Sequence, residues 1–154
     1  MNDKMDLSAI LQRLTQLEAQ VAIRNCINRY MEICDALDAD TELNELMDLF
    51  DEDSIWEGIG EKYAQSFGHF SSRQAIHDMF KGYTQKESHF VMNAHFVNSE
   101  QIYVEDTHAK ATWLMLQTST FRDGRSHLNT AKLTVTFKQQ QSGHWKIKHF
   151  QLLN

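Results

Sequence analysis

Residues 109–139 read AKATWLMLQTSTFRDGRSHLNTAKLTVTFKQ, and this stretch decides the fold. Two long segments flank Arg122-Asp123-Gly124-Arg125, whose Asp-Gly pair signals a tight hairpin turn. In the second segment Ala131, Leu133, Val135 and Phe137 alternate with Lys132, Thr134, Thr136 and Lys138. A period of two buries one face of a strand and wets the other. Working outward, Gln140-Gln141-Ser142-Gly143 turns the chain into a closing strand from His144 to Leu153. Upstream, His89 to Asn98 reads as a strand, and Gln101 to Glu105 as another or its continuation. The C-terminal half is therefore expected to be an antiparallel meander.

The N-terminal half has a different texture. Leu7, Ile10, Leu14, Leu17 and Val21 recur at spacings of 3, 4, 3 and 4, and the stripe resumes at Ile27, Tyr30, Met31 and Cys34. This predicts one long helix, or two abutting ones, from about Leu7 to Leu37. Asp38 to Thr41 offers N-cap chemistry for a second helix with Leu43, Leu46, Met47 and Phe50 on one face. Ser54 to Gly58 reads as a short strand, and Gly58, Gly60 and Gly68 mark a loop. Ser71 and Ser72 can cap a third helix carrying Ala75, Ile76, Met79 and Phe80. Helices first and a meander second mean an α+β fold, with three to four helices gathered on one face of a curved, mostly antiparallel sheet. Residues 1–154 read as a single domain. Residues 1–20 are a candidate appended helix whose heptad-like stripe packs on its own domain or on a second subunit, the former being expected.

Composition narrows the function classes. With 15 Lys and Arg against 21 Asp and Glu, the net charge of −6 lacks the electrostatic footprint of a nucleic-acid binder and does not attract anionic lipid. No apolar run approaches the roughly 18 residues of a membrane span. The opening MNDKMDLSAILQ lacks the basic and apolar regions of a signal peptide, so a cytoplasmic protein is expected. Cys26 and Cys34 lie about 12 Å apart along a helix, too far for a disulfide. No H-E-x-x-H, P-loop, dinucleotide fingerprint or G-x-S-x-G is present, so no metal, no cofactor and no serine nucleophile is expected.

A curved sheet wrapped round helices encloses a cavity suited to a small molecule. Asp35 borders the apolar face of the first helix, as a general base, an orienter or a solvated helix-end residue. Tyr30 is a core aromatic or a ligand-facing hydroxyl. His89 opens the first strand of the meander, where an imidazole can exchange protons near neutral pH. His95 shares the face of His89 in a regular strand but stands about 20 Å along it, so the two cannot bind one metal. Trp56, Trp113 and Met115 are cavity or core residues. Asn129 lies on the apolar parity of its strand, as a polar group facing inward or a strand-end residue. His149 and Gln151 share parity with Trp145 and Ile147, which would put polar groups on an apolar face.

Three segments together resemble a known family: Arg29-Tyr30-Met31-Glu32-Ile33-Cys34-Asp35 with the later Leu46 to Trp56; Ser88-His89-Phe90-Val91-Met92-Asn93; and the closing Gly143-His144-Trp145-Lys146-Ile147. Over about residues 15 to 153 the chain resembles a SnoaL-like domain of the nuclear-transport-factor-two-like superfamily, in the branch of scytalone and bile-acid dehydratases. The resemblance implies that Asp35 orients and charges His89, that His89 takes a proton α to a carbonyl, and that Tyr30 hydrogen-bonds the developing enolate. It also implies a homodimer through the outer face of the sheet. The sequence departs from scytalone dehydratase in lacking a histidine in Thr112-Trp113-Leu114-Met115 and in carrying Trp56 at or near a tyrosine position. The expected function is a cofactor-free lyase (dehydratase) or isomerase acting on a small apolar cyclic ketone or hydroxyketone. Its alternatives are a non-catalytic small-molecule binding protein and the small subunit of a ring-hydroxylating dioxygenase.

Overall fold

The computed structural model describes residues 6–85, 88 and 90–154. The heptad-like stripe becomes one unbroken helix, α1 (Leu7–Asp35), capped by Asp6, whose carboxylate accepts from the Ser8 N–H at 3.1 Å. No proline interrupts it. The chain continues through α2 (Leu43–Asp48), β1 (Phe50–Ile59), α3 (Gly60–Ser66), β2 (His69–Ser71) and α4 (Arg73–Thr84). The meander follows as β3 (Phe90–Glu105), β4 (His108–Phe121), β5 (Ser126–Gln139) and β6 (Trp145–Leu153). The six strands form one sheet in the order β2-β1-β6-β5-β4-β3. Every pairing is antiparallel except β1 with β6. This is the expected α+β architecture: a curved sheet with the helices on its inner face.

Alternation along β5 works as its sequence implies. Ala131, Leu133, Val135 and Phe137 are buried against Ile23 and Ile27 of α1, Ile147 and Phe150 of β6, and Ile76 and Phe80 of α4, all in one core. Each fully buried Ile, Leu or Phe contributes about 1.5–3 kcal/mol relative to an exposed one. Among the described residues no helix is long and apolar enough to cross a membrane.

Three local expectations are corrected, and one open alternative is decided. Phe50 does not close α2 but opens β1, which starts four residues earlier than the Ser54 boundary. Asp51 can sit inside that strand because Lys148 and Gln140 donate to its carboxylate at 3.3 and 2.8 Å. The glycine-marked loop is instead α3 and β2. Gly60 (φ +85°) opens α3, and a Cβ on Gly58 would stand 2.4 Å from the Tyr63 carbonyl oxygen, so both glycines allow a tight wrap rather than a loose one. Of the two readings of Gln101 to Glu105, the continuation holds: a bulge between Asn98 and Gln101, with Ser99 at φ 53°, lies within a single 16-residue strand. Finally, the stripe of α1 does not pack on its own domain. Residues 6–18 are all exposed, Leu7 by 67% and Leu17 by 58%, while burial begins at Ala19 and Ile23.

Candidate functional site

Between the inner sheet face and helices α1, α3 and α4 lies a cavity of about 540 Å³. Its walls are mostly apolar, with Met31, Trp56, Met79, Phe80, Met115 and Phe150 among them. A few polar groups converge on it, the pattern of a small-molecule site.

Asp35 is the last residue of α1, which delivers its carboxylate to the edge strand β3. There Oδ1 accepts a 2.9 Å bond from the backbone N–H of His95 and a 2.6 Å bond from its ring Nδ1. The His95 side chain is 13% exposed and lines the cavity. Because Asp35 holds Nδ1, the ring keeps Nε2 as its basic nitrogen, and the backbone bond prevents the carboxylate from swinging away. Among the described residues, His95 is the imidazole on Asp35. His89 lies outside the described residues, while its neighbours Ser88 and Phe90 both line the cavity.

Tyr30, one turn before Asp35, is buried, and its ring packs 4.6 Å from that of Phe150. Its hydroxyl oxygen accepts the indole N–H of Trp56 at 3.0 Å. Burial pushes the Tyr30 phenol well above its ordinary range, so at neutral pH it keeps its proton and can donate it. Trp56, with its donor spent, stacks on Phe150 at 5.7 Å and 8°. Cys34 also lines the cavity, but burial pushes its thiol up to about 12, which leaves little thiolate.

Met115 and Asn129 line the cavity; Trp113 does not. Trp113 shares the inner face with Met115 but stands two residues earlier in β4, buried in the core. The bulge in β3 brings Glu100 to its indole N–H at 3.2 Å, and Arg24 of α1 holds the same carboxylate at 3.0 Å. Asn129 receives Lys62 Nζ on its Oδ1 at 3.1 Å and donates its amide to the Tyr63 hydroxyl.

Sequence reasoning missed Asn93, Gln117 and Tyr63. His95, Gln117 and Asn129 stand directly opposite one another on β3, β4 and β5, forming one polar row across the inner face. Asn93 Oδ1 accepts from Gln117 Nε2 at 2.9 Å and Ser119 Oγ at 2.8 Å, which leaves its amide N–H groups as the donors it can offer a ligand. The parity of β4 and β5 carried that row in the sequence once their register was known. His149 and Gln151 point the other way. A register shift between Thr136 and Phe137 flips β6, so that both hydrogen-bond to Glu57 at 2.7 and 2.9 Å. Among the described residues, no three His, Cys, Asp or Glu side chains are grouped to hold a metal.

Residues 15–151 match the SnoaL-like domain family. No curated protein matches the sequence. Among solved structures, an NTF2-like protein with a cystatin-like fold from Novosphingobium aromaticivorans is 22% identical, with a TM-score of 0.75 over 97% of this chain and 90% of that one. A hexachlorocyclohexane dehydrochlorinase (LinA) type 2 is 15% identical, with a TM-score of 0.72 over 91% of this chain and 87% of its own. An aromatic ring hydroxylase assignment from Novosphingobium aromaticivorans accompanies a third structure, 16% identical, with a TM-score of 0.71 over 88% of each chain. At these identities the likeness is one of fold.

Proposed function

Because the chain belongs to the SnoaL-like domain family, we propose that its cavity is the active site of a cofactor-free lyase or isomerase. The substrate is a small, largely apolar cyclic ketone or hydroxyketone. The observation that carries this reading is the pair of hydrogen bonds from His95 to Asp35 at the cavity wall.

His95 Nε2 removes a proton from the carbon next to the carbonyl, and Asp35 faces the positive charge that the ring takes on. Negative charge moves onto the carbonyl oxygen, where the Tyr30 hydroxyl donates; its own lone pair is already engaged by Trp56. In a dehydratase the β-hydroxyl then leaves with the proton from Nε2 as water. In an isomerase that proton returns to another carbon. The likeness to a dehydrochlorinase, an eliminating enzyme by name, supports the elimination.

Substrate screening tests the reading, with turnover of the first active ketone compared across variants. His95→Ala and Asp35→Asn are each expected to lower it by at least about 100-fold. His89→Ala in the same assay tests the role that the resemblance gives to His89. Full activity in both His95→Ala and Asp35→Asn overturns the proposal, and a protein that retains ligand without forming product is a carrier of the same fold. The homodimer belongs to this reading too: Met92, Phe96, Leu114 and Leu128 give the outer face of β3–β5 exposed apolar side chains.

A further inference from the structure

The exposed end of α1 carries a second surface. Leu7, Ile10, Leu14, Leu17 and Val21 occupy alternating a and d positions of a heptad, and Leu11 widens the stripe; all are exposed. The groove between this helix and the sheet end is lined on the helix side by Gln12, Thr15, Gln16, Glu18, Ala19 and Ala22. The helix therefore turns largely polar and small side chains toward its own domain and its large aliphatic ones away from it. A stripe of this kind on a monomer has no partner to bury it.

We propose that this stripe pairs with the same stripe of a second copy of the chain as a short, parallel, two-stranded coiled coil over Leu7 to Val21. The charges select both the occupant and the direction. With Leu7 at a, Arg13 falls at g and Glu18 at e, on opposite flanks of the stripe. In a parallel pair a g residue faces the e residue five positions on in the other helix, so Arg13 meets the partner's Glu18, twice by symmetry. In the antiparallel register that faces Leu7 with the partner's Leu17, Arg13 would meet the partner's Arg13. Among the described residues neither Arg13 nor Glu18 has an ion pair within the chain.

The seam is about 22 Å long at 1.5 Å per residue. Its upper limit is set by Arg24, which falls at the next d position and is held by Glu100 of its own domain at 3.0 Å. Two heptads are too short to pair as free peptides. Here the helix is already formed, anchored by Ile23, Ile27 and Met31 in the core, so association does not bear the cost of nucleation. The pairing is accordingly expected to be concentration-dependent.

Sedimentation of the whole chain over a range of concentrations tests this. Leu14→Glu with Leu17→Glu changes only exposed residues, so the fold should persist by circular dichroism while one association step is lost. Arg13→Glu should weaken that step at least about tenfold, and adding Glu18→Arg to it should restore it. Leu14→Cys should give a disulfide between two copies on mild oxidation, since equivalent a positions face each other only in the parallel arrangement. An unchanged mass in the double glutamate variant overturns the pairing, even if the sheet-face dimer persists. Undiminished association of Arg13→Glu, or tighter association of the neutral Arg13→Gln, overturns the parallel direction.

Discussion

The Asp35 carboxylate holds His95 at two points, the ring Nδ1 at 2.6 Å and the backbone N–H at 2.9 Å, through the same oxygen. One oxygen thus joins the end of α1 to the edge strand and orients the imidazole. Structure and chemistry can be separated by substitution. Asp35→Ala leaves the His95 N–H without its acceptor and should cost about 1–3 kcal/mol of stability as well as turnover. His95→Ala keeps the backbone bond and should lose turnover with a much smaller fall in melting temperature. Thermal melts beside kinetics check this; equal destabilisation in both variants would reduce the pair to a structural tie.

Tyr30 accepts the indole N–H of Trp56 and lines the cavity, with its own hydroxyl proton left to donate. Tyr30→Phe should lower kcat by about 100-fold with little change in KM, because the donor acts on charge that develops only in the transition state. It should also cost about 1–3 kcal/mol, since the buried Trp56 N–H loses its acceptor. Unchanged kcat in a destabilised variant would leave Tyr30 a packing residue only.

On the outer face, the His69 ring at 2.9 Å, with Gln151 and His149, holds the Glu57 carboxyl down to about 2 from an ordinary 4.5. A carboxyl depressed by folding adds stability that is complete above its unfolded value and is lost as pH falls toward the folded one. Denaturant titrations should therefore show a loss of stability between pH 4.5 and 2 that is shallower in Glu57→Gln. Parallel curves for the two proteins would remove Glu57 from the acid response.

Burial pushes both cysteine thiols up to about 12. Iodoacetamide at pH 8 should modify neither in the folded protein at a rate near that of a free thiol, and both once it is unfolded. Rapid labelling of Cys34 in the native state would reopen the case for a thiol nucleophile in the cavity.

Much of this was legible along the chain because it depends on local period and turn chemistry. The alternation from Ala131 to Phe137 and the Asp123-Gly124 turn specify the hairpin, and the 3-4 spacing from Leu7 specifies the helix, wherever either is placed. Three other segments, Arg29 to Asp35 with Leu46 to Trp56, Ser88 to Asn93 and Gly143 to Ile147, carried the family resemblance and drew attention to Tyr30 and Asp35 at the end of α1. What remained hidden depended on register, curvature and bulges. Asp35 and His95 lie 60 positions apart, and only the placement of α1 across β3 brings them together. Trp113 and Met115 share one face of one strand, yet only Met115 lines the cavity, because the β3 bulge brings Glu100 against Trp113. A single register shift sends His149 and Gln151 to the face opposite the cavity. The stripe on α1 was plain in the sequence, but which side of the helix meets the domain was not. Helical period records that an apolar face exists; only the sheet it packs against decides whether that face is spent in the core or left for a second molecule.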